Sequence, residues 1–151
     1  MPADPESREL VTLSSVSLDR ALAGAGPAAE SFARFWESLW YQPYLSRGLL
    51  EQCRRTLARL HGDAVELAAV NPHAAGNGSV RPEPPATEQA VLLFAECYWG
   101  DAQSIPDDVA DAVKAQLGEA GLVFLIEALG CIDGRIRSAR CLRDLGAGRA
   151  V

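Results

Sequence analysis

Residues 27–40 read Pro-Ala-Ala-Glu-Ser-Phe-Ala-Arg-Phe-Trp-Glu-Ser-Leu-Trp. Phe32, Phe35, Trp36, Leu39 and Trp40 recur at i, i+3, i+4, i+7 and i+8, the spacing of one stripe on an α-helix, and Pro27 suits its first turn. Pro43 ends the run, because a ring without an N–H cannot extend the hydrogen-bond ladder. The same period returns downstream. Ser46 is placed to cap a helix with Leu49, Leu50, Cys53, Leu57, Leu60 and Ala64 on one side and Arg54, Arg55 and Arg59 mostly on the other, bent or broken at Gly62. Thr87 opens another, whose Ala90, Val91, Leu93, Phe94, Tyr98 and Trp99 face a core and which Gly100 closes. Ser104-Ile-Pro106-Asp-Asp starts a short helix that stops near Gly118, with acids against its positive end. The last helix, 119–145, is apolar around its circumference at 122–132, as suits a helix buried between others or at a subunit contact. No strand alternation and no repeat interrupt this pattern, so the expected fold is an all-α compact bundle of about six helices.

Working outward, residues 1–16 lack a sustained apolar period and read as a flexible N-terminal arm. Ser17 caps a short helix to about Ala23, and 17–151 form a single helical domain. Within it, residues 71–86 are rich in Pro, Gly and Asn and read as an exposed loop, unusually long for a compact domain and therefore functional or mobile.

A net charge of -6 and a pI near 4.9 oppose the basic footprint of nucleic-acid binding. The start, Met-Pro-Ala-Asp-Pro-Glu, has neither the basic nor the apolar region of a secretory signal, and no stretch approaches the ~18 apolar residues of a bilayer span. A cytoplasmic protein without membrane partners is expected. Cys53, Cys97, Cys131 and Cys141 are widely spaced and contain no Cys-x-x-Cys pair, which speaks against zinc, a redox dithiol and a disulfide framework. Lys114 is the single lysine, and arginine with abundant Ala and Gly has the composition of a GC-rich bacterial genome.

Four segments carry a family resemblance. They are Leu45-Ser-Arg-Gly-Leu-Leu-Glu51 running on to Leu57-Ala-Arg-Leu-His-Gly62, then Gln89-Ala-Val-Leu-Leu-Phe-Ala-Glu96, Ile105-Pro-Asp-Asp-Val109, and Gly121-Leu-Val-Phe-Leu-Ile-Glu127 followed by Gly134-Arg135. In this order the chain resembles the alkylhydroperoxidase D / carboxymuconolactone decarboxylase family over about residues 28–142. The redox-active members of that family carry a Glu, then eleven residues, Cys-x-x-Cys, three residues and His. Glu51 matches the Glu, but Asp63 and Glu66 stand at the two cysteines and Val70 at the histidine. Without a thiolate there is no nucleophile for a peroxide oxygen.

The resemblance then implies a cofactor-independent lyase or isomerase that moves protons on a small carboxylate or enol-type substrate, in a homo-oligomer (dimer or trimer). Its candidates are Glu51, His61, Asp63 and Glu66, with Arg135 as a carboxylate clamp and Trp36, Trp40 and Tyr44 lining the substrate. On an unbroken helix Glu51 and Asp63 would lie ~18 Å apart, so a break at Gly62 or a site shared between subunits is required. Each residue has a plainer alternative. Glu51 can pair with Arg54 or Arg55, and His61 can finish a helix. Asp63 can cap a restarting helix with Glu66 as capping-box partner, Arg135 can neutralise Asp133 or a helix end, and the aromatics can be core. A catalytically silent binding or partner protein with the same fold is the alternative to the enzyme.

Overall fold

In the computed structural model the described residues are 11–74 and 83–149, and these form six helices and no strand. They are α1 (Leu18–Ala21), α2 (Pro27–Leu39), α3 (Arg47–Leu60), α4 (Ala64–Ala68), α5 (Pro85–Asp101) and α6 (Asp107–Arg149). The all-α expectation holds. α6 is two helical segments meeting at Gly118, whose φ of 76° and ψ of 175° break the helical path where the sequence placed a stop.

Local chemistry sets the boundaries. The Ser46 hydroxyl accepts from the Leu49 N–H at 3.0 Å and donates to Glu83 at 2.7 Å, capping α3. At its other end Gly62 takes φ 65°, its N–H bonds to the Arg59 carbonyl, and the Asp63 N–H reaches the Ala58 carbonyl. This paired closure is a Schellman ending, which needs a left-handed residue and so favours glycine. Asp63 immediately caps α4, its carboxylate accepting from the Glu66 N–H at 3.0 Å. The chain therefore reverses at Gly62, and α4 folds back along α3.

The core lies where α3, α5 and α6 meet. Leu50, Cys53 and Leu57 from α3, Val91 and Phe94 from α5, and Leu125, Leu129 and Ile132 from α6 are at most 1% exposed. Trp36 and Trp40 close one side, edge to face with ring centroids 5.3 Å apart. The Trp40 Nε1–H is buried there without a hydrogen-bond partner among the described residues.

Several expectations are corrected. Residues 13–15 are buried rather than a frayed arm, while residues 1–10 lie outside the described part. Of the aromatic stripe only Trp36, Leu39 and Trp40 face the core, and Phe32 and Phe35 are 57% and 44% exposed. Leu93 and Trp99, expected inside, are also exposed. Val123 and Ile126 leave the apolar helix uncovered on one face. The loop expected at 71–86 is shorter: Asn71 is buried, α5 begins at Pro85, and 75–82 lie outside the described residues. Among the described residues one helix, Asp107–Gly146 with its break at Gly118, is long and apolar enough by composition to cross a membrane, against the expectation of no such stretch.

Candidate functional site

The reversal at Gly62 brings Glu51 and Glu66 to one guanidinium. Arg54 donates from Nε and Nη2 to the two oxygens of Glu51 at 2.8 and 2.6 Å, and from Nη1 to Glu66 at 2.6 Å. It also donates to the carbonyls of Glu66 and Ala69. Its side chain and that of Glu66 are wholly buried. Burial works against charge on Arg54, but hydrogen bonds and the charges of Glu51 and Glu66 outweigh it and raise its pKa. Sequence analysis put Arg54 on the polar face. Yet position 54 lies four residues after Leu50 and three before Leu57, within the core stripe, and that register was the legible sign of an internal cation.

The network continues to the N-terminal segment. The Ser15 N–H donates to Glu66 at 2.7 Å and the Ser15 hydroxyl donates to the other Glu66 oxygen. Arg135 donates from Nε and Nη2 to the Ser15 carbonyl at 3.1 and 2.8 Å and from Nη1 to Asp19 at 3.0 Å, with its guanidinium 4.2 Å from the Trp36 ring centroid. Arg143 joins Asp63, at 2.6 Å, to the Leu13 carbonyl. For Asp63 burial pushes the pKa up, but hydrogen bonds from Arg143 and the Glu66 N–H, with the charges of Arg143 and Arg140, hold it below the usual carboxylate value. Glu51, Asp63, Glu66 and Arg135 thus take part in clipping residues 13–19 and α4 onto α3 and α6. Each has its partners inside the fold: Asp63 is the cap of the plainer reading, Glu51 pairs with Arg54, and Arg135 holds Ser15 and Asp19 rather than standing free as a clamp.

His61 is different. It caps the end of α3, and its Nε2 lies 2.5 Å from Asp133 on α6. Arg137 holds the other Asp133 oxygen at 2.8 Å, Arg140 donates to the His61 carbonyl at 3.0 Å, and Trp99 stands edge-on to the imidazole. A cavity of about 460 Å³ opens here, lined by His61, Arg137, Arg140, Cys141, Asp144 and Leu145. With Nε2 held by Asp133, Nδ1 is the ring nitrogen left for proton transfer, the arrangement of an oriented general base. Nothing in the sequence joined His61 to Asp133, because the pair is 72 residues apart and only the packing of α3 on α6 brings it together.

A second cavity, about 550 Å³, lies between α1, α2 and α6, with Leu18, Leu22, Phe32, Gly134, Cys141 and Leu142 among its walls. Cys131 is also there, and burial pushes its thiol up to about 11, with Arg135 opposing and Asp19 adding to the rise. Cys53 is buried in the core and pushed up to about 12 by burial and then by Glu83. Both thiols stay protonated at neutral pH and are poor nucleophiles. Trp36 and Trp40 are core, and Tyr44 is half-exposed against Phe124 with ring centroids 5.4 Å apart; these three line neither cavity. Among the described residues no group of three or more His, Cys, Asp or Glu is placed to hold a metal ion.

No family model, curated protein or solved structure matches the chain.

Proposed function

We propose that this chain is a divergent alkylhydroperoxidase D-like protein in which thiol redox chemistry has given way to cofactor-free acid–base work on a small carboxylate. The observation that carries the reading is the His61–Asp133 pair at 2.5 Å, beside an open cavity whose walls bear Arg137 and Arg140. Asp133, steadied by Arg137, fixes the imidazole; His61 takes a proton from the carbon next to a carbonyl or carboxylate; the remaining guanidinium N–H groups of Arg137 and Arg140 receive the carboxylate. The reaction class is that of an isomerase or lyase. The family's two cysteine positions support the loss of thiol chemistry, since Asp63 is the cap of α4 and Glu66 the partner of Arg54 and Ser15.

The alternative, a catalytically silent binding protein, is favoured by one fact. Glu51, Asp63 and Glu66 have their hydrogen-bonding capacity engaged within the fold and line neither described cavity.

Exchange of solvent deuterium into the α-carbon of a panel of small 2-oxo and 3-oxo carboxylates, followed by NMR, separates the two. Enzyme-dependent exchange should fall on the order of 10²–10⁴-fold in His61→Gln and clearly in Asp133→Asn. No exchange with any member, or exchange indifferent to His61→Gln, sinks the acid–base reading. Hydrogen peroxide with a dithiol donor should not be turned over; robust turnover lost on changing one cysteine would overturn the loss of thiol chemistry.

A further inference from the structure

The cavity between α1, α2 and α6 has no part in the chemistry above, and its walls explain why it exists. Along α6, Gly130, Gly134 and Ser138 fall at i, i+4 and i+8, so three successive turns present almost no side-chain bulk on one line. At Gly134 a Cβ would meet no atom within 4 Å. Opposite stand Leu18 and Leu22 of the α1 region and Phe32 of α2, with Leu142 at one end. The volume, about 550 Å³, falls within the ~300–1,000 Å³ of small-molecule sites, and its walls are mostly apolar, as such sites are. Arg135 borders it but is committed to Ser15 and Asp19, so no free cation lies inside among the described residues.

Charge lies at one edge. Cys141 belongs to the walls of this cavity and of the His61 cavity alike. On the far side are Asp144, Arg137, which is tied to Asp133, and Arg140, which donates to the His61 carbonyl and whose charge acts on Asp63 but which makes no salt bridge among the described residues. The apolar trough and the cavity that holds His61, Arg137 and Arg140 thus share one wall residue.

We infer that the ligand of this protein is an amphipathic monocarboxylate, its unbranched or cyclic hydrocarbon tail lying in the trough along Gly130, Gly134 and Ser138 and its carboxylate passing Cys141 to Arg140. This deepens the acid–base reading and rests on it only for the identity of the reacting end. The tail sets affinity through burial, and the guanidinium selects an anion over a neutral head.

Calorimetric titration with the saturated straight-chain carboxylates from butanoate to dodecanoate tests the inference directly. Affinity should rise about fourfold with each methylene until the trough is filled and then level off. Gly134→Leu, whose Cβ would meet nothing within 4 Å and which favours helix, should lower binding of the longest tails at least tenfold and leave butanoate unchanged, with Gly134→Ala in between. Arg140→Gln should weaken the carboxylates but not the matching primary alcohols. Affinity independent of chain length, or equal in Gly134→Leu and the parent, overturns the proposal. So does a Gly134→Leu variant whose sole change is dissociation of an oligomer, which would give the trough to a second copy of the chain. Chain-length-dependent binding without any α-exchange leaves the tail site standing and sinks the acid–base reading. Exchange on short acids without chain-length dependence does the reverse.

Discussion

Arg54 shows what a single buried charge can organise. Its planar fork meets Glu51 on its own helix, Glu66 on the next and two backbone carbonyls, a set that the point charge of a lysine would not reproduce. Removing it leaves Glu66 wholly buried without its cation. Arg54→Ala should therefore cost about 3–5 kcal/mol, read from denaturant unfolding; a loss below about 1 kcal/mol would mean that Ser15 alone satisfies Glu66. Asp63 adds a pH dependence. Its folded pKa lies below the unfolded value of ~3.9, so its ionised form contributes stability that is fully present above that value and is lost as pH falls through the folded one. Asp63→Asn should be less stable at pH 7, and the gap should begin to narrow below about pH 4. A gap of constant size from pH 7 to 3 would remove Asp63 from the clip.

At the scale of elements, two glycines decide the layout. Gly62 turns α3 into α4 and makes possible the meeting of Glu51 and Glu66 on Arg54, which a continuous helix would have kept apart. Gly118 divides α6, at φ 76° and ψ 175°, in a region that side chains other than glycine's rarely enter. A Cβ there would touch nothing within 4 Å, so Gly118→Ala isolates backbone strain from packing. It should destabilise by about 1–3 kcal/mol, seen as a lower Tm; an unchanged Tm would show that the two segments straighten into one helix without cost. The N-terminal segment is held differently. Residues 13–15 carry little apolar surface beyond Leu13, and charged side chains on α4 and α6 grip their backbone instead.

The whole molecule keeps unsatisfied apolar surface. Phe32 and Phe35 on α2 and Val123 and Ile126 on α6 are each more than 40% exposed. A contiguous exposed apolar patch is the usual mark of association, and each of these pairs lies within one helical turn. We predict a homo-oligomer, with a light-scattering mass at a multiple of 16.1 kDa behind a sizing column, and dissociation in a Val123→Lys, Ile126→Lys double variant. A mass near 16.1 kDa at micromolar concentration would defeat this and require the site to function within one chain.

The sequence by itself determined the helical class, the N-cap Ser46 and the breaks at Gly62 and Gly118, and it offered the cap at Asp63 as the alternative to a catalytic role. These depend on periodicity and on contacts within a few residues, which neighbouring side chains already fix. It also determined that no Cys-x-x-Cys dithiol exists. Only the tertiary structure decided which acids are internal and which face a cavity. Glu66 meets Ser15 across 51 residues, Arg135 meets Ser15 across 120 and His61 meets Asp133 across 72. Pairings at such separations depend on how α3 and α6 pack around the core, and residue type and local spacing carry no information about that. The same packing turned Arg54 inward and Phe32 outward, because an apolar stripe fixes a helix's phase only to within about a hundred degrees and the neighbouring helices settle the rest.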